Sequence, residues 1–248
     1  MSEALYDVNG LPIGGVRFWT PEEMERRDWI KRSLVSTIQQ TLLDMNQMWR
    51  MLEVETPIMM PMAYMNAAYD ADDVFVLQDA PAGGDKDNQW ALRAETTDGS
   101  YRIARHLLRT TTKKPPLCIY QSGKSFRRET SDGATAAKLR FNEFNQLEFQ
   151  CIFGETTQAP IAETLRTVLV GHVARLLGRQ TRLVTSDRLP SYSTETIDIE
   201  AWDDNAEDWR EIASTSRRTD FPAVPDLKFK CLVFEIAVGL DRCVALSG

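Results

Sequence analysis

The sequence contains few residues of the kinds that build metal sites and catalytic triads. His106 and His172 are its only histidines, so a Ser-His-Asp triad or a histidine-based metal site has little to draw on. The four cysteines form no CxxC pair and sit among apolar neighbours, which is typical of small buried side chains in a reducing compartment. They are Cys118, Cys151, Cys231 and Cys243. Any chemistry must therefore depend on carboxylates, arginines and a bound cation such as Mg²⁺.

Long apolar segments are also missing. No run approaches the roughly 20 residues that span a bilayer, and the N-terminus lacks the pattern of a signal peptide. We therefore expect a soluble, cytoplasmic protein without a membrane partner. At 248 residues, of which 43% are hydrophobic and 26% charged, the chain can bury a large core without disulfides.

The chain has no overall excess of basic residues. Lysine and arginine number 29 against 36 acidic residues, for a net charge of −7, which argues against nucleic-acid binding through bulk charge. The central stretch nevertheless concentrates basic side chains, which predict either a local basic groove or an ordinary solvated face. They are Arg93, Arg102, Arg105, Arg109, Lys113, Lys114, Lys124, Arg127, Arg128, Lys138 and Arg140.

Helix and strand signals alternate along the chain after an irregular arm at residues 1–19. Thr20 and the acidic residues that follow Pro21 predict a helix start, and the apolar periodicity continues to about Arg50. Further helices are predicted at Arg102–Arg109, Pro160–Leu177 and Gly239–Leu246. Loops are predicted at residues 79–88, 131–137 and 216–227.

Several predicted strands follow one another without an intervening helix. They are Leu52–Thr56, Leu117–Gln121, Lys124–Thr130, Phe141–Phe153, Thr181–Thr185, Thr196–Trp202, Trp209–Ser214 and Cys231–Ala237. Such an order predicts an α+β fold with a mainly antiparallel sheet flanked by helices. We find no internal repeat and no linker between domains.

One predicted hairpin combines residues suited to nucleotide binding. Arg127 and Glu129 share a strand face if the side chains alternate, and the returning strand brings Arg140 and Phe144 beside them. Guanidinium groups bind phosphate, and an aromatic ring stacks on a base. The same pattern also describes an ordinary amphipathic hairpin with a salt bridge.

Three ordered segments resemble the motifs of class II aminoacyl-tRNA synthetases. The segment LEVETPIMMP (52–61) resembles motif 1, SGKSFRRETS…LRFNEFNQLEF (122–149) resembles motif 2, and FEIAVGLDRCVAL (234–246) resembles motif 3. Each could arise by chance, but the three occur in the family order. The resemblance covers roughly residues 20–248 and implies a synthetase-like catalytic core without an anticodon-binding domain.

Finer features are divided between two subfamilies. The segments LRAETTDG (92–99), GKSFRRETS (123–131) and EFNQLE (143–148) are similar to stretches of glycyl-tRNA synthetases, whereas DIEAW (198–202) favours the seryl type. One departure from the glycyl pattern is Ala237, which stands where that pattern has serine. We expect a small amino acid, glycine first and serine or alanine next.

The resemblance implies a role for each residue that matches a motif. Arg127 would contact the α-phosphate and the amino acid carboxylate, and Glu129 would contact the adenine amino group. Phe144 would stack on the adenine, with Arg242 over its opposite face near the γ-phosphate and Arg140 as a further phosphate contact. A separate set would bind the amino acid and Mg²⁺: Glu95, Glu148 and Glu235 for the substrate ammonium, and Glu211 and Ser214 for the metal ion.

These roles imply an adenylate-forming ligase that uses ATP and Mg²⁺. The acceptor of the activated amino acid is expected to be tRNA, with a carrier protein or another non-tRNA acceptor as the alternative. A non-catalytic regulatory relative is a further alternative, although such proteins usually lose the ATP-binding arginines that are present here. Motif 1 also predicts a homodimer, because its elements pair across a two-fold axis in this family.

Overall fold

The structure, a computed structural model, describes most of the chain. The described residues are 16–45, 49–65, 69, 72–78, 89–110, 115–129, 133–134, 138–154, 161–187, 189–225, 227 and 230–247. The loop predicted at 79–88, most of the loop at 131–137 and most of the arm predicted at 1–19 lie outside these residues.

Four α-helices and ten strands form the regular structure of the described residues, together with a short 3₁₀ helix at Met62–Tyr64. The helices are α1 (Pro21–Asp44), α2 (Thr97–Thr110), α3 (Ile161–Leu177) and α4 (Leu240–Leu246). The strands are β1 (Arg50–Glu53), β2 (Met59–Pro61), β3 (Val76–Leu77), β4 (Trp90–Leu92), β5 (Leu117–Phe126), β6 (Glu143–Gly154), β7 (Thr181–Thr185), β8 (Ser193–Asp203), β9 (Asp208–Arg218) and β10 (Cys231–Gly239). None of these helices is long and apolar enough to cross a membrane.

Seven strands form the main sheet, in the order β1-β5-β6-β10-β9-β8-β7. Its neighbouring strands are antiparallel except for β1 and β5, which run parallel. A second, three-stranded sheet has the order β2-β4-β3. The α+β fold with a mainly antiparallel sheet, predicted from the sequence, is confirmed.

The start of α1 follows the sequence prediction, but its end does not. The Thr20 hydroxyl accepts a hydrogen bond from the Glu23 backbone N–H at 3.3 Å, and the Glu23 carboxylate accepts one from the Thr20 backbone N–H at 3.0 Å. This capping box satisfies two free N–H groups of the first turn. The helix ends at Asp44, not near Arg50, because Arg50–Glu53 pairs in parallel with β5.

The main sheet is covered on both faces. Cys118 belongs to the core cluster packed under α1, α3 and α4, whereas its neighbours Leu117 and Ile119 belong to the cluster packed against α2. Alternate residues of a strand point to opposite faces, so α2 lies on the face away from the other three helices. The remainder of the α2 face is lined by polar side chains.

Several strand boundaries differ from the prediction. The strands predicted at 117–121 and 124–130 are one strand, β5, which ends at Phe126, so Arg127 and Glu129 lie beyond it. Strand β9 continues to Arg218 through the beginning of the predicted loop at 216–227. The prediction failed at β9 because its inward side chains face a polar cavity, and the periodic apolar signal that marks a strand is therefore missing.

Candidate active site

A large open cavity lies over the polar part of the sheet. Its volume is about 1360 Å³, and its walls come from β6, β7, β8, β9 and β10, the segments that connect β5 to β6 and β7 to β8, and the first turn of α4. All ten residues predicted for the site line this cavity. They are Glu95, Arg127, Glu129, Arg140, Phe144, Glu148, Glu211, Ser214, Glu235 and Arg242.

Arg127 lines the cavity directly after the end of β5. Its backbone N–H donates to the Asn142 carbonyl at 3.0 Å, and its Nε donates to the Ala94 carbonyl at 3.3 Å. The guanidinium carbon lies 5.3 Å from the Phe144 ring centroid and 5.5 Å from that of Tyr69. These contacts hold a cation at a defined place beside an aromatic ring.

The electrostatic surroundings favour the charged form of Arg127. Burial acts to lower its pKa, but the nearby Tyr69, Glu95 and Glu148 outweigh that effect and raise the pKa. The guanidinium therefore remains positive at every pH at which the protein is folded. It is suited to bind two anionic oxygens at once.

Glu129 and Arg140 face each other at the outer part of the cavity. The Glu129 backbone N–H donates to Asn142 Oδ1 at 2.9 Å, which fixes the chain just after β5. Arg140 Nη1 lies 3.7 Å from Glu129 Oε2. The side chains are partly exposed, so an incoming nucleotide can replace this ion pair at little cost.

Arg242 connects α4 to two other walls of the cavity. Its Nε donates to the Leu139 carbonyl at 3.0 Å, in the hairpin between β5 and β6. Its Nη1 donates to the Glu211 carbonyl at 2.6 Å and lies 3.5 Å from Glu211 Oε2. The two arginines predicted to grip one triphosphate, Arg127 and Arg242, thus line the same cavity.

Three buried carboxylates gather at the inner end of the cavity. Glu95, Glu148 and Glu235 are each less than 5% exposed. Glu148 Oε2 accepts hydrogen bonds from the Thr96 N–H at 3.0 Å and from both the Thr96 and Thr97 hydroxyls. These donors lie at the start of α2, whose dipole favours a negative charge there.

The three carboxyl groups oppose one another's ionisation at this end of the cavity. Burial, together with the charges of Glu235 and Glu95, raises the pKa of Glu148 to about 8. Burial also raises the pKa of Glu95. Buried carboxylates with raised pKa values create a favourable position for a cation, which would restore their ionised form.

Arg218, which the sequence analysis did not single out, is the cation that partly balances this cluster. Its Nη1 donates to Glu235 Oε2 at 2.7 Å, and its Nη2 lies 3.4 Å from Glu95 Oε1. The same Nη2 donates a hydrogen bond to Asp220 Oδ2 at 2.6 Å. Side chains at every second position of a strand share one face. Arg218 lies four residues after Ser214 on β9, so the sequence alone could have placed Arg218 on the same face as Ser214.

Side chains with hydroxyl or carboxylate oxygens are concentrated on β8 and β9, next to Arg242. Ser214 lies opposite Asp198, and Glu211 lies opposite Glu200, in the register of these strands. Burial and the carboxylates of Glu211, Asp187 and Glu200 raise the pKa of Asp198 to about 6, although a Ser186 hydrogen bond opposes the shift. This surplus of negative charge and of hard oxygen donors fits a divalent cation.

The protein supplies only part of such a metal site. Among the described residues, no three carboxylate, thiol or imidazole groups are close enough to hold a metal ion by themselves. Mg²⁺ is typically bound by one or two carboxylates together with substrate phosphates and water. Glu211 and Ser214 therefore fit an ion that arrives with a nucleotide.

Ala237 lies in the cavity wall between the two ends. In the sheet register it pairs with Glu148 on one side and with Ser214 on the other. Its methyl group lines the cavity. The size of the side chain at position 237 therefore affects the room in this part of the cavity.

Comparison with known proteins identifies relatives of this arrangement. The family described as tRNA synthetase class II core domain (G, H, P, S and T) matches residues 75–246. The glycine–tRNA ligase of Cutibacterium acnes is 30% identical over 142 residues, which are 55% of this chain and 30% of that protein. The enzyme of the same name from Mycobacterium bovis is 30% identical over 175 residues, 61% of this chain and 37% of that protein. The chain thus spans well under half of the length of these relatives.

Solved structures share the fold at lower identity. The prolyl-tRNA synthetase of Cryptosporidium parvum, complexed with halofuginone and AMPPNP, superposes with a TM-score of 0.71 at 14% identity. That match covers 95% of this chain and 48% of the other. The RNA binding domain of threonyl-tRNA synthetase from the same organism gives a TM-score of 0.65 at 14% identity, covering 94% and 66% of the two chains.

Proposed function

Because the chain belongs to the class II tRNA synthetase core family, we propose that it joins ATP and a small amino acid into an aminoacyl-adenylate and releases pyrophosphate. One observation carries this proposal: a single cavity is lined by Arg127, by the buried carboxylates of Glu95, Glu148 and Glu235, and by Arg242. The acidic end suits an ammonium group and the outer end suits a triphosphate. Arg127 then lies where the two substrates meet.

The outer end of the cavity suits ATP. Phe144 offers a ring for the adenine, and Glu129 offers a carboxylate that can accept a hydrogen bond from its amino group. Arg140 and Arg242 supply guanidinium groups for the phosphates. When bound, Mg²⁺ at Glu211 and Ser214 would neutralise charge on the phosphate oxygens.

The inner end suits the amino acid. Glu95, Glu148 and Glu235 surround a space whose electrostatics favour an ammonium group. Several carboxylates around one cation help to compensate for its loss of hydration. The substrate carboxylate then points toward Arg127. Glycine is the first candidate, because the curated relatives at about 30% identity are glycine–tRNA ligases, and serine or alanine follows because of Ala237.

The reaction needs positioning and charge stabilisation more than proton transfer. The amino acid carboxylate attacks the α-phosphate, a P–O bond forms, and the bond to the pyrophosphate leaving group breaks. Negative charge builds up around the α-phosphate, where the fixed guanidinium of Arg127 can stabilise it. No general base is required, which suits a site built without histidine.

The proposed acceptor of the activated amino acid is tRNA. The curated relatives are named glycine–tRNA ligases, and the family description refers to tRNA synthetases. A carrier protein is the alternative acceptor. Incubation of the enzyme with labelled glycine, ATP and either unfractionated tRNA or carrier protein distinguishes the two by which macromolecule retains the label.

A homodimer is the proposed assembly. Helix α1 exposes Met24, Trp29 and Leu43, with 45%, 49% and 53% of their respective surfaces accessible. Large apolar side chains on a single helix favour burial against a second copy. Light scattering should give twice the 28.2 kDa mass of one chain, and a mass of one chain at all concentrations would contradict the proposal.

The test of the proposed activity is amino-acid-dependent exchange of pyrophosphate into ATP. We expect exchange with glycine, serine or alanine and a loss of about 10²-fold or more in Arg127→Ala. Arg32→Ala, at an exposed position of α1, is the matched control and should retain activity. Exchange unaffected by Arg127→Ala would refute the assigned site, and silence with all twenty amino acids would favour a non-catalytic binding protein.

A further inference from the structure

The basic residues that cluster in the sequence are separated by the fold. Arg93 is 3% exposed, and its Nη1 donates to the Thr56 carbonyl at 2.7 Å in the protein interior. Arg127 and Arg140 line the proposed catalytic cavity. A third group, on α2, belongs to neither the interior nor that cavity.

The third group forms a basic notch on the surface of α2. Arg102, Arg105, His106, Arg109 and Thr110 line a concavity of about 460 Å³. The positions recur at intervals of three and four residues, so these side chains share one face of the helix. The three guanidinium groups are spread over about 10 Å of helix axis.

The guanidinium groups of the basic notch lack anionic partners within the described part of the chain. No carboxylate there forms an ion pair with Arg102, Arg105 or Arg109, whereas Arg128, Arg140 and many others have such partners. The Arg105 Nε is buried and has no hydrogen-bond acceptor. A buried donor without an acceptor is costly, and an anion seated in the notch would satisfy it.

An exposed aromatic ring borders the basic notch. The Arg102 guanidinium carbon lies 3.5 Å from the centroid of the Tyr64 ring, and Tyr64 is 47% exposed. An aromatic side chain stacked with arginine is the kind of platform on which an unpaired base stacks. RNA has bases that can stack on such a platform, whereas an acidic protein surface has none.

We propose that the basic notch binds the phosphodiester backbone of RNA, with the Tyr64–Arg102 pair as a platform for a base. Arginine can hold two phosphate oxygens at once, so three arginines along one helix suit a chain of phosphates. In a protein with a net charge of −7, such binding must be local, because bulk charge opposes it. This inference rests on the proposed function, in which tRNA is the acceptor, and adds the surface of α2 that binds it.

The position of the basic notch suits an acceptor of extended shape. Thr97, the first residue of α2, and Thr96, which precedes the helix, contact the carboxylates at the inner end of the catalytic cavity. Arg109 lies near the opposite end of this helix, about 18 Å along its axis. The notch would therefore hold a polymer at a distance from the reacting atoms while another part of it enters the cavity.

The test measures RNA affinity as a function of salt. The probes are unfractionated tRNA, a single-stranded oligouridine and an acidic polyglutamate peptide. The test variant is Arg102→Gln/Arg105→Gln/Arg109→Gln. The matched control is Arg32→Gln/Arg50→Gln/Arg175→Gln, which removes the same charge from three other exposed arginines.

We expect the test variant to bind tRNA roughly tenfold or more weakly at low salt. The slope of log affinity against log salt should fall by about 2, since each lost phosphate contact contributes about 0.7 to 0.9. The control variant should keep both the affinity and the slope. Tyr64→Ala should weaken oligouridine binding with little change in the slope, because stacking releases no counterions.

Two outcomes would overturn the inference. Equal losses in the test and control variants would mean that only net charge matters, and loss of polyglutamate binding with unchanged RNA binding would assign the notch to an acidic protein. Pyrophosphate exchange, which needs no RNA, is measured in parallel. Its absence in the wild type would refute the proposed function, while unchanged RNA binding in the test variant would refute only the notch.

Discussion

Arg218 Nη1 lies 2.7 Å from Glu235 Oε2, and this buried pair joins the end of β9 to the middle of β10. The guanidinium is fully enclosed and also reaches Glu95 and Asp220. Because its guanidinium lies directly against Glu235 and Glu95, it offsets part of the negative charge that would otherwise be available to a substrate. The acidic end of the cavity depends on this one side chain.

Arg218→Ala should destabilise the protein strongly. Removal of one partner from a buried ion pair leaves uncompensated carboxylates and costs about 3–5 kcal/mol. The neighbouring Arg217 is the control, because it pairs with Glu163 and Glu195 at the partly exposed surface. Arg217→Ala should cost no more than about 1 kcal/mol. Denaturant unfolding measures the free energy of unfolding of both variants. An equal loss of this free energy in the two variants would contradict the role of Arg218.

Glu148→Gln should change how stability depends on pH. Burial and the neighbouring carboxylates of Glu235 and Glu95 raise the pKa of the Glu148 carboxyl in the folded protein to about 8, from an ordinary value of 4.5. Between these values the unfolded chain binds fewer protons, so wild-type stability falls as the pH rises, by up to about 1.4 kcal/mol per unit.

The glutamine variant cannot release this proton and should lose less stability over the same range. Denaturant unfolding at about pH 5 and about pH 8 measures the difference. Glu207→Gln, at an exposed turn, serves as the control and should follow the wild type. Parallel curves for Glu148→Gln and the wild type would show that the Glu148 carboxyl is not the titrating group.

Arg242→Ala should impair the use of ATP more than the stability of the fold. We expect pyrophosphate exchange to fall by about 10²- to 10³-fold, since a fixed charge at the phosphates is lost. Arg242→Lys should retain part of the activity, because it keeps the charge but not the planar fork. A melting temperature shared with the wild type confirms folding, and full activity in Arg242→Ala would remove this residue from the site.

Ala237→Ser should narrow the choice of amino acid. The added hydroxyl enters the cavity wall between Glu148 and Ser214 and reduces the room for a side chain. A difference of one methyl group is worth about 10- to 200-fold in discrimination. We expect kcat/KM for alanine and serine to fall by about tenfold relative to glycine. An equal loss for all three amino acids would contradict a role in selection.

The starts of α1, α3 and α4, most of the strands and the order of the motifs could be predicted because they depend on local chemistry. The start of α2 was predicted wrongly: the helix begins at Thr97, not at Arg102, because its first turn has polar residues and Gly99 in place of an apolar stripe. Thr20 caps α1 as its sequence context predicts. Gly178 ends α3 with a positive φ of 63°, a conformation that glycine adopts without strain. The β5–β6 hairpin that holds Arg127 and Phe144 is also local, and its partners are close in sequence.

The polar wall of the cavity was harder to predict. Ser214, Ser216 and Arg218 occupy alternate positions of β9 and so share one face of the strand. A strand is recognised in a sequence by an apolar side chain at every second position. At this site the inward face is polar, so residues 216–218 were interpreted as a loop. Arg218 was missed for the same reason.

The sequence by itself determined the fold class, the helix caps and the identity of the side chains that carry the proposed chemistry. Only the tertiary structure decided which of them meet: Glu95, Glu148 and Glu235 are far apart along the chain, yet Arg218 and the start of α2 connect them. It also divided one basic stretch among the interior, the cavity and the surface of α2. The physical reason is that burial and strand pairing act between distant segments, and local sequence patterns do not specify those contacts.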